Sequence, residues 1–128
     1  MPWTYSISDG TLTDPLGKVA GTGYSGNNEG YNSPEMADVP NVGPTPPGTY
    51  DIGPPFTHPL AGPVTMRLSP HPGTEEFGRA GFMIHGDTAA HAADPRPDNS
   101  ASEGCIVLPR QIRQTVATSA VRVLLVTP

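Results

Sequence analysis

Cys105 is the only cysteine of the chain and sits in Ser102-Glu-Gly-Cys-Ile-Val-Leu108, directly ahead of an apolar run. His85 closes another apolar run, Gly81-Phe-Met-Ile-His85, 20 positions earlier, and Gly86 and Asp87 follow it. A thiol and an imidazole placed in this way can perform nucleophilic catalysis. Only the thiolate attacks a carbonyl; an ordinary cysteine has a pKa of about 8.5, and a paired histidine lowers it by several units. The base also needs its second ring nitrogen held by an acceptor, and the Gly86 carbonyl, next in the chain, is placed to do that. Gly104 lets the chain turn tightly before the nucleophile and leaves room beside backbone N–H groups that would receive an oxyanion. A lone cysteine makes no internal disulfide, so Cys105 is either inert filler or a nucleophile. Burial tendency alone favours filler. The nearby histidine, serine and glycines, which bring no evident folding benefit, weigh on the other side.

Positioning two such groups calls for strand ends brought together by a loop. The chain has 128 residues, enough for one domain with one core. Its 15 glycines and 17 prolines make up a quarter of the sequence. They cluster between short apolar runs, so they punctuate a β fold rather than signal disorder. Trp3–Ser8 alternates large and small side chains, and Asp9-Gly10 follows as a hairpin signal. Thr11–Thr13 and Lys18–Thr22 are the next expected strands, and residues 23–48 read as irregular. Thr45-Pro-Pro-Gly-Thr-Tyr-Asp-Ile52 reads as a rigid turn feeding a strand. Val64–Leu68, Phe82–His85, Cys105–Leu108 and Val121–Val126 are further strands, with a polar loop over 86–103. One helix is expected, with Pro109 at its first position and Ile112, Val116 and Ala120 on one face. The expected fold is mainly β: a compact single domain over 1–128, a sandwich or barrel with one short helix after the Cys105 strand.

Net charge is −5, with Lys18 the only lysine, and no basic run or aromatic-interleaved basic stripe appears, which argues against nucleic acid as a partner. No apolar stretch approaches the roughly 20 residues that cross a bilayer, and Met1-Pro-Trp-Thr-Tyr5 lacks the features of a signal peptide. A zinc hydrolase is the chemical rival, since His58, His71, His85, His91, Asp87 and Cys105 offer ligands. They do so without His-Glu-x-x-His or Cys-x-x-Cys spacing. A wall-binding module with an idle Cys105 is the non-catalytic rival. A papain-like protease fits less well, because here histidine precedes cysteine and both lie at strand ends.

Ile84-His-Gly-Asp87 followed by Ser102-Glu-Gly-Cys-Ile106 resembles the His-Gly and Ser-x-Gly-Cys signature of the L,D-transpeptidase catalytic domain, the YkuD-type fold. Thr45-Pro-Pro-Gly-Thr-Tyr-Asp-Ile52 resembles its upstream turn. The whole chain is similar to the type VI secretion L,D-transpeptidase effectors through Gly21–Gly26, Val42–Gly48, Phe77–Phe82, Ile84–Asp87 and Ala101–Leu108. The resemblance implies Cys105 as nucleophile, His85 as base, Gly86 orienting the imidazole, and Ser102 and Gly104 shaping the cysteine loop. The wider fold usually has histidine where Glu103 stands and a polar residue where Val107 stands; those departures fit the effector branch, of carboxypeptidase and exchange activity. Asp87, Arg79, Tyr24, Ser25 and Glu103 are the substrate-facing candidates, Arg79 for a stem carboxylate, with Tyr31 beside Tyr24. His91 takes no catalytic role. The implied partners are peptidoglycan stem peptides, a cognate immunity protein and type VI secretion components. No cofactor or metal is required, and a monomer is expected. The implied route is export without a signal peptide to a target-cell periplasm.

Overall fold

The computed structural model describes residues 1–86 and 104–128. The strands are β1 (Trp3–Ser6), β2 (Thr11–Thr13), β3 (Val19–Thr22), β4 (Tyr24–Ser25), β5 (Gly48–Ile52), β6 (Phe56–His58), β7 (Gly62–Pro70), β8 (Met83–His85), β9 (Ile106–Val107) and β10 (Val123–Thr127). Among the described residues one α-helix, α1, covers Arg110–Thr118. The strands link in the order β3-β2-β1-β10-β5-β7-β8-β9-β4, with β6 on β7. The architecture of the described residues is therefore mainly β with one short helix, in a single compact domain.

Local chemistry accounts for most of these elements. In β1 the alternation buries Trp3 and Tyr5 on one face. Gly10, at φ 69°, then reverses the chain into β2. β10 is central: it runs parallel to β1 and antiparallel to β5, with Leu124 and Val126 buried between them. β7 serves three neighbours in succession, β6 at its start, β8 through Met66 and Arg67, and β5 at its end. It bends at Val64, whose φ of 54° is unfavourable for a β-branched residue. Trp3, Tyr5, Tyr50, Met66, Phe82, Ile84, Ile106, Val116 and Leu124 belong to one continuous core.

The two ends of the strand path, β3 and β4, are separated in the chain by Gly23 alone. The sheet therefore curls round until its first and last strands join end to end at one residue. Gly23 is the corner. Its N–H bonds to Gly10 O at 2.8 Å on the β2 side. On the other side, an added Cβ would lie 1.9 Å from Val107 O of β9.

Some expectations need correction. Residues 23–48 are not wholly irregular: β4 lies there, with two 3₁₀ turns at Asn28–Gly30 and Pro34–Met36. β4 is only two residues long and exists because β9 pairs with it, so no periodicity announces it. β6 was likewise absent from the sequence reading. Pro109 precedes α1 rather than opening it, and Ala120 lies beyond its end. The buried face of α1 carries Arg113 and Val116, with Ile112 and Ala117 packed against the core. Of the expected loop over 86–103, all but Gly86 lies outside the described residues.

Gly23→Ala is expected to destabilise the fold by about 3 kcal/mol, at the upper end of ordinary overpacking, because the added methyl meets backbone on β9. Chemical denaturation read by tryptophan fluorescence checks this; an unchanged midpoint would mean that the corner has slack.

Candidate active site

His85 and Cys105 are brought together by β8 and β9, which pair in parallel with Ile84 opposite Ile106 and His85 opposite Val107. Ile84 and Ile106 are both buried in the core. Side chains alternate across a strand, so His85 emerges on the opposite face. Extending the register by one residue puts Cys105 on that same face, opposite Met83. Strand spacing separates the two Cα positions by about 8 Å, within the combined reach of an imidazole and a thiol. Antiparallel β4 continues the arrangement with Tyr24 opposite Val107 and Ser25 opposite Ile106. Tyr24, Val107 and His85 thus form one row across three strands on the face that carries Cys105.

His85 is oriented as the sequence reading expected. Its Nδ1 lies 2.7 Å from Gly86 O. A carbonyl only accepts, so Nδ1 carries the proton and Nε2 is the basic nitrogen of the neutral ring. A Cβ on Gly86 would come within 2.6 Å of Arg113 Nη2, so a larger residue there would push the guanidinium aside. Cys105 is partly exposed, with Sγ 3.8 Å from Gly81 O.

The loop carrying Cys105 is held through its backbone. Ser25 Oγ donates to Cys105 O at 2.8 Å, and Thr45 Oγ1 donates to Gly104 O. Thr45 N donates in turn to Ser25 Oγ at 2.8 Å. Both hydroxyl residues are fully buried. Thr45 is set in place by the turn after it, where Tyr50 Oη donates to Pro46 O at 2.7 Å. Burial raises the Tyr50 pKa above its ordinary value, so the hydroxyl stays protonated as that donor. Gly104 has φ 124°, and a Cβ on it would lie 2.3 Å from Arg79 Nη2. Both the backbone conformation and the guanidinium behind it demand glycine.

Two substrate-facing candidates are placed differently from the expectation. Ser25 faces the core side of β4 and clamps Cys105, so it acts by positioning rather than by touching a ligand. Arg79 is 9% exposed, and its Nη1 donates to Ala37 O at 2.6 Å and Pro44 O at 2.8 Å, its Nη2 to Gly43 O at 3.0 Å. The guanidinium also lies 5.3 Å from the Phe82 ring centroid. Three of its N–H donors are thereby directed at carbonyls of the 37–44 segment. Burial pulls its pKa below the usual arginine range, against the opposing influence of Tyr50, Cys105 and Asp38. The same proximity means that the Arg79 charge favours the Cys105 thiolate. Tyr24 is buried on the site face, with its ring centroid 5.3 Å from that of Tyr31. Ser102, Glu103, Asp87 and His91 lie outside the described residues.

His58 and His71 are engaged on separate elements. His58 Nδ1 accepts from Leu60 and Ala61 N–H, and His71 Nε2 is 2.8 Å from Asp51 Oδ1. Among the described residues no three His, Cys, Asp or Glu side chains converge as metal ligands would. Thr45 is the positioning residue that the sequence reading missed. Its signal was available in the Thr-Pro-Pro-Gly turn, which was read for its backbone and not for its hydroxyl.

Thr45→Val keeps the shape and removes the donor to Gly104 O. Leaving that buried carbonyl unsatisfied is expected to lower stability by about 1–3 kcal/mol, measured by urea denaturation. A midpoint equal to the parent's would show that the hydroxyl does not hold the cysteine loop.

Residues 20–126 match the family model described as the Tlde1 domain. No curated protein matches the chain. Among the described residues no helix is long and apolar enough to cross a membrane.

Proposed function

This chain belongs to the Tlde1-domain family of type VI secretion effectors, and from that premise we propose that it is a cysteine acyl-transfer enzyme of the L,D-transpeptidase type, acting on peptidoglycan stem peptides. The observation that carries the reading is the β8–β9 register, which sets Cys105 and His85 on one face while Gly86 O holds His85 Nδ1. The proposal includes a YkuD-type relationship for the curled β architecture.

On this reading His85 Nε2 takes the Cys105 thiol proton, and the Arg79 charge adds to the stabilisation of the thiolate. The sulfur adds to the carbonyl that joins the L-centre of diaminopimelate to terminal D-alanine. The carbonyl oxygen takes the electron pair, and backbone N–H groups of the cysteine loop stabilise it. As the C–N bond breaks, protonated His85 returns its proton to the departing amine, and a thioester remains on Cys105. Water then gives a tripeptide and restores the thiol, which is carboxypeptidase action. A D-amino acid amine gives an exchanged tetrapeptide by the same route. Ser102 and Gly104 shape the loop in this scheme, with Asp87, Glu103 and Tyr24 facing substrate.

Either product removes tetrapeptide donors that a growing wall needs for cross-linking. That outcome suits an antibacterial toxin working as a monomer in a target periplasm, with a cognate immunity protein in the producing cell.

Tetrapeptide muropeptides incubated with the protein are expected to lose one D-alanine, detected by mass spectrometry, and to gain D-methionine when it is supplied. Cys105→Ala is expected to abolish both reactions, and His85→Gln to slow them by about 10²-fold or more. Unchanged muropeptides with folded, reduced protein would overturn the assignment.

A further inference from the structure

The Tyr24, Val107 and His85 row adjoins, through Tyr24 and Val107, an open cavity of about 330 Å³, lined by Thr22, Tyr24, Val107, Pro109, Arg110 and Arg113 among others. A volume of that order accommodates a small ligand group. Two arginines meet there in a chain of net charge −5. Arg110 is exposed at the start of α1. Arg113 is 7% exposed; its Nε donates to Leu108 O at 3.0 Å and its Nη1 to Pro63 O at 2.6 Å. Among the described residues its Nη2 has no hydrogen-bond acceptor, and no acidic side chain pairs with either arginine. Burial lowers the Arg113 pKa, and the like charge of Arg110 lowers it further, so the two cations are near enough to repel. Like charges held together beside a cavity are relieved by an anion, and arginine suits a carboxylate in particular.

We propose that this cavity is a carboxylate subsite, in which Arg110 and Arg113 hold an acidic group of a peptide set back from the carbonyl attacked at Cys105. The assignment rests on the acyl-transfer reading for what that group is attached to. Val107, on the cavity wall, lies two residues from Cys105, about 7 Å along the strand. A terminal carboxylate one residue beyond the scissile bond reaches only about 3–4 Å. The side-chain carboxylate of diaminopimelate is further out along the attacked residue and matches the longer span. Arg113 also staples β7 and β9, which makes Arg110 the better position to test.

The test uses Cys105→Ala protein, so that no turnover interferes, titrated by calorimetry with the tetrapeptide stem and with an analogue whose diaminopimelate side-chain carboxylate is a carboxamide. The acidic peptide is expected to bind about 10-fold more tightly, and both Arg110→Gln and Arg110→Glu in that background are expected to erase the difference. Equal affinity for the two peptides, or a preference that survives Arg110→Glu, overturns the subsite. Binding is read separately from release of D-alanine by the unsubstituted protein. A preserved preference with no D-alanine released would therefore defeat the acyl-transfer reading and leave the subsite standing.

Discussion

The parallel pairing of Ile84 with Ile106 is the constraint on which the site depends. Both side chains are almost fully buried in the core, and that burial is what sets the register. A slip of one residue by either strand would turn its isoleucine out of the core and put His85 or Cys105 in its place. The relation between His85 and Cys105 is thus enforced by two apolar core residues. The pairing also accounts for the brevity of β8 and β9. Three and two residues suffice, because the hydrophobic anchor lies at their centre rather than along their length.

Holding such short strands is a problem of hydrogen-bond supply. Each of the 17 prolines contributes a carbonyl but no N–H, so acceptors outnumber backbone donors in the loops around the site. Arginine makes up much of the shortfall, since one guanidinium offers five donors in a planar fork. Arg79 reaches carbonyls of Ala37, Gly43 and Pro44, while Arg113 reaches those of Leu108, Pro63 and Val64. Arg122 links Val116 to Gly53 in the same manner. The buried hydroxyls of Ser25 and Thr45 do the same for the cysteine loop. A carbonyl is a partial negative charge, so each staple also stabilises the cation it buries.

The staples have an electrostatic consequence. Arg79 stands behind Gly104 and Arg113 beside Gly86, so each glycine next to a reactive residue is backed by a guanidinium. A chain that is acidic overall therefore keeps positive charge fixed beside Cys105 and His85. This charge comes from groups already needed to close the fold, so structural and chemical demands fall on the same side chains.

The mainly β class, most strands, the helix and the strand positions of His85 and Cys105 were legible in the sequence, because each has a local cause. Alternation marks β1, Asp9-Gly10 marks its turn, Pro109 marks the start of α1, and a single cysteine beside a glycine marks itself. The Gly86 contact was legible too, since it spans adjacent residues. What tertiary structure alone decided has causes far apart in the chain. β4 exists because β9 pairs with it across 80 positions, from Ser25 to Cys105. Arg79 looks like a surface ligand binder until the 37–44 carbonyls close on it, and Ser25 looks like a groove residue until pairing with Ile106 turns it inward. Residue type and short-range spacing determine what chemistry a segment can offer. Which face it presents, and which charges are already engaged, depend on long-range register and burial, which only the folded chain specifies.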